Sequence, residues 1–431
     1  MKREMSDEYS ANELRQLDID HVVHPLGVVA GGTPPLIVDR ALGARIWDID
    51  GREYIDGTCG LWQCLVGHGR RELAEAAAEQ MQRMEFYSSF GAFSNEPAIR
   101  LAARLAALAP SGQTRAFFTS GGSEGVETAI KLVRRAWSLQ DMPERTVILS
   151  RCGGYHGVGL ASMTATGIPR FREGFGPVVP GFEYLSAPVA GPADDGTSDR
   201  LVTELEETIA RIGAKKIAAF IGEPVLGVGG AVLPPPDYWA RVQQILRGNG
   251  ILLILDEIVT GFGRTGHWFG AQAFGIEPDV IVTAKGLTSG YVPMGAVMLG
   301  RHLVDMLAGM PLYHGFTYNG HATGAAVALR NLQIIEDEGL VARARSTGAQ
   351  ILEALRSECN VPVVTEIRGI GMMIALQLDV ADASGVELGV RQSGGIVRSL
   401  GGTILLSPPL VITEDEWMRL VHLLATQVRS L

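Results

Sequence analysis

ILLILDEIVTGFGRTG at residues 251–266 and DVIVTAKG at 279–286 are the two stretches that decide how this chain folds. Each opens with an unbroken apolar run, too short for a buried helix, which is the pattern of a strand covered on both faces. Each then ends on a charged side chain, Asp256 in the first and Lys285 in the second. Outward from this pair lie further short runs of the same kind: RAFFT (115–119), TVILS (146–150), FEYL (182–185), KIAAFIG (216–222) and GAVML (295–299). Amphipathic stretches at 123–139 and 236–248 separate them. Strands alternating with helices predict an α/β layer with a mostly parallel sheet of about seven strands in a large domain. Ligands on such sheets bind beyond the carboxyl ends of the strands, the edge to which Asp256 and Lys285 belong.

The rest of the chain reads differently. Helical patterns at 322–338 and 340–358 precede short strands near 361–367 and 371–378, which predicts a smaller α+β domain. The expected division is an N-terminal segment 1–65 packing on the small domain, a large domain 66–325, and a C-terminal small domain 326–431. SAPVAGPADDGTS (186–198) reads as a surface linker. With 37 Lys+Arg against 47 Asp+Glu the net charge is −10, so no excess of cations is available for a phosphate backbone and no nucleic acid partner is expected. No apolar run approaches the roughly 18 residues of a membrane span, and the N-terminus lacks a signal-peptide layout, so a cytoplasmic protein without a membrane partner is expected. Cys59, Cys64, Cys152 and Cys359 form neither a CxxC pair nor a metal-ligand spacing, which predicts reduced thiols and no metal site.

Two motif matches point elsewhere. GFGRTG (261–266) fits the dinucleotide fingerprint, but Asp256 to Thr260 intervene between strand and glycines, so it reads as a glycine-rich active-site or interface loop. GGSEG (121–125) fits a nucleophile elbow, with Ser123 as nucleophile and His321 and Asp256 as candidate partners of a serine hydrolase. The same glycine-rich turn opens a helix, so it is also an anion cradle, or else a plain helix start capped by Ser120 or Ser123.

Taken together, three features make one kit. The turn at 121–125 can hold a phosphate, with a hydroxyl from Ser123. Asp256 at a strand end can hold the proton on a heterocyclic nitrogen. Lys285 at the rim of an apolar crevice loses charge by desolvation and becomes a nucleophilic amine. Phosphate grip, pyridinium partner and reactive amine are what pyridoxal phosphate requires.

At this point the sequence resembles the class III, fold type I pyridoxal-phosphate aminotransferases, most of all the amine (omega-amino acid):pyruvate branch. DIDGREYIDG (48–57), GGSEGVETAIKL (121–132), YHG (155–157), EPV (223–225), LDEIVTGFGRTG (255–266), AKGLTSGYVPMGAV (284–297), HGFTYNGH (314–321) and SPPL (407–410) match in order. The resemblance implies that Lys285 carries the cofactor as a Schiff base and that Asp256 pairs with its ring nitrogen. It also implies that Tyr155, beside His156, stacks on one ring face and Ile258 on the other, while Gly122 and Ser123 hold the phosphate. Glu223 would be a polar side wall or the partner of an arginine. Thr317, assisted by Phe316, would reach the phosphate of the other subunit's cofactor, so a homodimer with shared sites is implied, and dimers could pair into tetramers. Trp62 would line the amine pocket, and Arg398 would grip a substrate carboxylate. Gly121 and Gly125 stand where the family usually has Ser and Ala, and Ala322 where a proline is common.

The expected reaction moves an amino group from a primary amine or omega-amino acid to an oxo acid such as pyruvate, in ping-pong fashion. Mutases, epimerases and decarboxylases share the scaffold and are the alternatives, with the serine hydrolase more distant.

Overall fold

The computed structural model describes residues 9–29, 35–110, 112–189 and 196–431. Every strand expected in the large domain is present: Gln113–Thr119, Val147–Arg151, Phe182–Leu185, Ile217–Gly222, Leu252–Asp256, Val280–Thr283 and Gly295–Gly300. They form one seven-stranded sheet. The spatial order begins with Gln113–Thr119, followed by Gly295–Gly300, Val280–Thr283 and Leu252–Asp256. Ile217–Gly222, Val147–Arg151 and Phe182–Leu185 complete it. Only Gly295–Gly300 runs antiparallel to its neighbours; the remaining pairs are parallel. The fold is therefore α/β.

Burial explains why these segments are strands. All six residues of Ile217–Gly222 and all five of Leu252–Asp256 are buried, as the continuous apolar runs require of a sheet covered on both sides. One cover is the helix Gly122–Leu139. Its face of Val126, Ala129, Ile130, Val133 and Ala136 packs on Ile148, Ile221, Ile254 and Val282 of the sheet. Each fully buried aliphatic side chain of this size contributes about 1.5–3 kcal/mol.

The register of the two central strands creates the site. Asp256 pairs with Val282 in the parallel ladder, and the Glu257 amide donates to the Val282 carbonyl at 2.9 Å. Lys285 follows three residues after Val282, so the carboxylate and the amine emerge at the same edge of adjacent strands. At that edge the helix Gly122–Leu139 also begins.

Two smaller sheets flank the large one. Val38–Leu42, Arg45–Asp48 and Glu53–Asp56 form a meander whose fourth strand, Gly395–Ile396, comes from the far end of the chain and pairs parallel with Glu53–Asp56. Val364–Ile370, Met373–Leu378, Thr403–Leu406 and Arg398–Leu400 form an antiparallel sheet in that order. The helix Ala322–Asp337 runs through position 325/326, where the sequence suggested a domain seam. Residues 190–195 of the expected linker lie outside the described residues, and its last two belong to the helix Thr197–Ile212. The apolar face of Leu201, Val202, Leu205 and Ile209 sustains that helix back to Thr197.

The four cysteines are all free, and Cys59, Cys64 and Cys359 are buried. Among the described residues no cluster of three or more His, Cys, Asp or Glu could hold a metal ion, and no helix is long and apolar enough to cross a membrane.

Candidate active site

At the carboxyl edge of the large sheet a cleft is lined by Gly122, Ser123, Tyr155, His156, Glu223, Asp256, Ile258 and Lys285, together with Gly157, Val228, Val259 and Ala284. Eight residues singled out from the sequence thus meet in one place.

One end of the cleft is built for an anion. The N-cap of the helix Gly122–Leu139 is Gly121 in extended conformation, and no side chain caps the helix. The reading of Ser120 or Ser123 as a plain cap is corrected: Ser123 Oγ accepts from the Val158 amide at 3.1 Å, and Glu124 accepts from the Ser120 amide at 2.8 Å. The first-turn amides therefore stay open toward the cleft, where the helix dipole favours negative charge. Close packing demands glycine at 122, since a Cβ there would come within 2.6 Å of Ile258 Cδ1. At Gly121 a Cβ would meet nothing within 4 Å, whereas at Gly125 it would stand 2.8 Å from Val282 Cγ1.

The cleft also holds buried acidic side chains. Asp256 is 3% exposed; its Oδ2 bonds His156 Nδ1 at 2.8 Å and its Oδ1 accepts from the Ile258 amide at 3.1 Å. His156 is also buried, and among the described residues its Nε2 has no hydrogen-bond partner. The Glu223 carboxylate is clasped by the backbone amides of Tyr155 (3.1 Å) and Gly227 (2.8 Å). Among the described residues no arginine pairs with the Glu223 carboxylate, which lines the cleft. Burial pushes its carboxyl up, reinforced by Asp256 and opposed by His156 and the two amides.

Lys285 sits at φ +42°, a left-handed backbone that a lysine adopts only under constraint, at the start of the short turn Lys285–Leu287. Loss of water lowers its pKa from 10.5, and Arg398 adds to that shift, while Asp256 and Glu223 pull it back. The result is an amine whose charged form is less favoured than that of a free lysine. Tyr155 is half-buried, and its ring meets Phe171 edge-on at 5.1 Å. Burial raises its hydroxyl above 10, opposed by Arg398.

Residues expected elsewhere in the site divide. Arg398, on the edge strand Arg398–Leu400, is near enough to Lys285 and Tyr155 to shift both. Trp62 is 5% exposed and packs in a cluster with Val225, Ala231 and Leu405, one layer behind the Glu223–Gly227 loop. Phe316 is half-buried against His314 and Thr317 is exposed; neither lines the cleft of this chain.

The hydrolase triad is not assembled. His321 caps the helix Ala322–Asp337, accepting from the Gly324 amide, and packs against Phe86 and Tyr318. Asp256 is engaged by His156, and Ser123 has no histidine within hydrogen-bond reach. GFGRTG is an interface loop: Arg264 is fully buried and donates to the carbonyls of Met372 (3.0 Å) and Pro408 (2.6 Å).

Sequence reasoning gave no role to Glu257, which follows Asp256 and is wholly buried. Its carboxylate accepts from the amides of Gly270 (2.8 Å) and Ala271 (2.6 Å) and from the Thr260 hydroxyl, fastening the loop that carries Ile258 and Val259. Burial raises its carboxyl from 4.5 to about 7, despite those donors. An acid with a raised pKa in the folded state is stabilising while neutral and loses that advantage as the unfolded chain ionises first. The stability of the wild type relative to Glu257→Gln is therefore expected to fall as pH rises from about 4.5 to about 7, by up to about 3 kcal/mol. Thermal melts of both proteins across that range check the sign; a difference that grows with pH would contradict it.

The arrangement fits pyridoxal phosphate. The buried Asp256 carboxylate, held by His156 and the Ile258 amide, suits a protonated ring nitrogen, while the uncapped helix amides at Gly122 suit a phosphate. The comparisons agree. The Aminotransferase class-III family matches residues 28–428. A putrescine–pyruvate aminotransferase from Pseudomonas aeruginosa is 38% identical over 405 residues, covering 90% of this chain and 89% of that one. The crystal structure of an (S)-enantioselective omega-transaminase from Thermomicrobium roseum superposes with a TM-score of 0.94 at 44% identity, covering 98% of this chain and 99% of that chain. An amine transaminase from an uncultivated Pseudomonas species, solved in its PLP-bound form, gives 0.91 at 37% identity, covering 95% and 98%.

The chain belongs to the class III aminotransferases, and its cofactor is pyridoxal phosphate. Within that class it is a transaminase of the amine or omega-amino acid type.

Proposed function

We propose that this enzyme moves an amino group from a primary amine or an omega-amino acid to pyruvate, through one cleft that serves both half-reactions. The observation that carries this reading is the juxtaposition of Lys285, an amine whose charge is weakened by burial, with Asp256 inside the cleft and Arg398 close by. Bound pyridoxal phosphate supplies an aldehyde that takes up the amino group and a ring that absorbs the electron pair left when a C–H bond beside nitrogen breaks.

The protein's own residues do the rest. The amides of Gly122 and Ser123 hold the phosphate at the helix N-terminus. Tyr155 and Ile258 would bound the ring, and Glu223 and His156 would line the cleft beside it. Asp256, steadied by His156 and the Ile258 amide, keeps a proton on the ring nitrogen. Lys285 Nζ would hold the cofactor and, as a free amine, would carry the proton lost from the substrate carbon. Arg398 recognises the carboxylate of the oxo acid, a task for which a planar guanidinium is well shaped. Trp62, behind the Glu223–Gly227 loop, shapes the amine pocket from its buried cluster. Thr317, exposed and outside this chain's cleft, with Phe316 beside it, serves the phosphate of a second copy, so the active unit is a homodimer.

A panel of amine donors and oxo-acid acceptors tests the reading, scored by alanine formed from pyruvate and by stoichiometric carbonyl product. Alanine formation with parallel-line initial-rate plots is expected. Turnover of the amino acid without any acceptor would overturn it in favour of isomerisation or decarboxylation.

A further inference from the structure

Just outside the cleft the short helix Pro169–Phe171 carries an arginine that no step above uses. Tyr155 lines the cleft, Phe171 meets its ring at 5.1 Å, and the Arg170 guanidinium lies 5.2 Å from the Phe171 ring centroid. Arg170 is thus one aromatic layer beyond Tyr155, outside the residues that line the cleft. It is exposed and, among the described residues, makes no hydrogen bond or ion pair. The neighbouring Arg172 is engaged otherwise, stacked over Tyr184 at 4.2 Å.

Arg398 is near enough to feel the charge of Arg170. Burial lowers its pKa, Glu387 opposes that, and the charge of Arg170 adds to it, so the two guanidiniums are close enough to repel. Among the described residues the carboxylate acting on Arg398 is that of Glu387, which already accepts from the amide (2.7 Å) and the hydroxyl of Ser399. The mouth of the cleft is therefore a place of surplus positive charge. A substrate tail with a carboxylate gains there, and a tail with an ammonium loses.

We propose that Arg170 is a specificity-determining residue, receiving the distal carboxylate of an omega-amino acid donor and disfavouring the distal ammonium of a diamine. This rests on the transaminase reading given above. Because Arg170 is solvated, its effect is modest, about fivefold, and is weakened by salt.

The experiment uses the holoenzyme with three donors of equal carbon number: an omega-amino acid, the plain alkylamine and the diamine, with pyruvate as acceptor. In Arg170→Gln the ratio of kcat/KM for the omega-amino acid to that for the alkylamine is expected to drop about fivefold, through KM, and the ratio for the diamine to rise. Arg170→Lys restores most of both ratios, because it restores the charge. Hexanoate, which cannot react, is expected to bind the wild type about fivefold more tightly than Arg170→Gln, a difference that shrinks at high ionic strength. Ratios and hexanoate affinity that do not move in Arg170→Gln would overturn the proposal while leaving transamination intact. Failure of the wild type to form alanine from any donor would instead overturn the transaminase reading beneath it.

Discussion

Alanine at position 285 is expected to lower transamination by at least about 10⁴-fold, because one side chain does two jobs there. Its amine is the attachment point for the cofactor, and it is the proton carrier within reach of the reacting carbon. Nothing in the cleft can replace it: Tyr155 is held above its usual pKa by burial, the His156 Nδ1 is tied to Asp256, and Glu223 is clasped by two amides. The substitution should leave the fold intact. Alanine tolerates the left-handed backbone at 285 about as well as lysine does, and the buried apolar strand Val280–Thr283 ahead of it is untouched. A melting temperature near that of the wild type, with no turnover, is the expected pair of results. Borohydride treatment of the wild type should fix the cofactor on the peptide containing Lys285, and treatment of Lys285→Ala should fix it nowhere. A variant that still forms alanine at more than about a hundredth of the wild-type rate would remove Lys285 from the chemistry.

Much of this was legible from the sequence because the central sheet follows simple rules. Fully buried strands must be apolar throughout, so runs such as LLILD and VIVT stand out, and the charged residue that ends each run marks the sheet edge. The pairing of Asp256 with Val282 then brings two sequence-distant charges together, as parallel neighbours must. The parts that stayed hidden depend on contacts without local signature. Gly395–Ile396 joins the N-terminal sheet across most of the chain length, and two residues carry no strand pattern of their own. His156 could be picked out beside Tyr155, but not as the partner of Asp256, which comes from register and loop geometry. Glu257 looks like half of an acidic dipeptide, yet it is buried among backbone amides, and only the course of the loop to Gly270 and Ala271 reveals why. Arg170 follows a proline in an unpatterned stretch, and its significance lies wholly in the rings between it and the cleft.

Asparagine at position 256 should cost about 10³-fold in kcat while cofactor binding survives, and this separates electrostatics from shape. Asparagine has the size of aspartate and can keep both local contacts: its carbonyl oxygen can accept from the Ile258 amide, and its amide group can face His156 Nδ1, which accepts in the other tautomer. What it cannot do is supply a negative charge to hold a proton on the ring nitrogen, so the electron pair released at the substrate carbon has no stabilised destination. The loss should fall on the chemical step, with phosphate binding kept, since the uncapped helix start at Gly122 and Ser123 does not depend on the Asp256 charge. The neighbouring Glu257→Gln is the control for general loss of acidic charge. Glu257 lies outside the cleft lining and titrates near 7, so its substitution should change stability with pH and leave kcat within a few-fold. Single-turnover absorbance changes on mixing each holoenzyme with an amine donor measure the chemical step directly. Should Asp256→Asn and Glu257→Gln slow that step equally, the charge at 256 would have no special relation to the ring, and the orientation of the cofactor assigned to this cleft would be wrong.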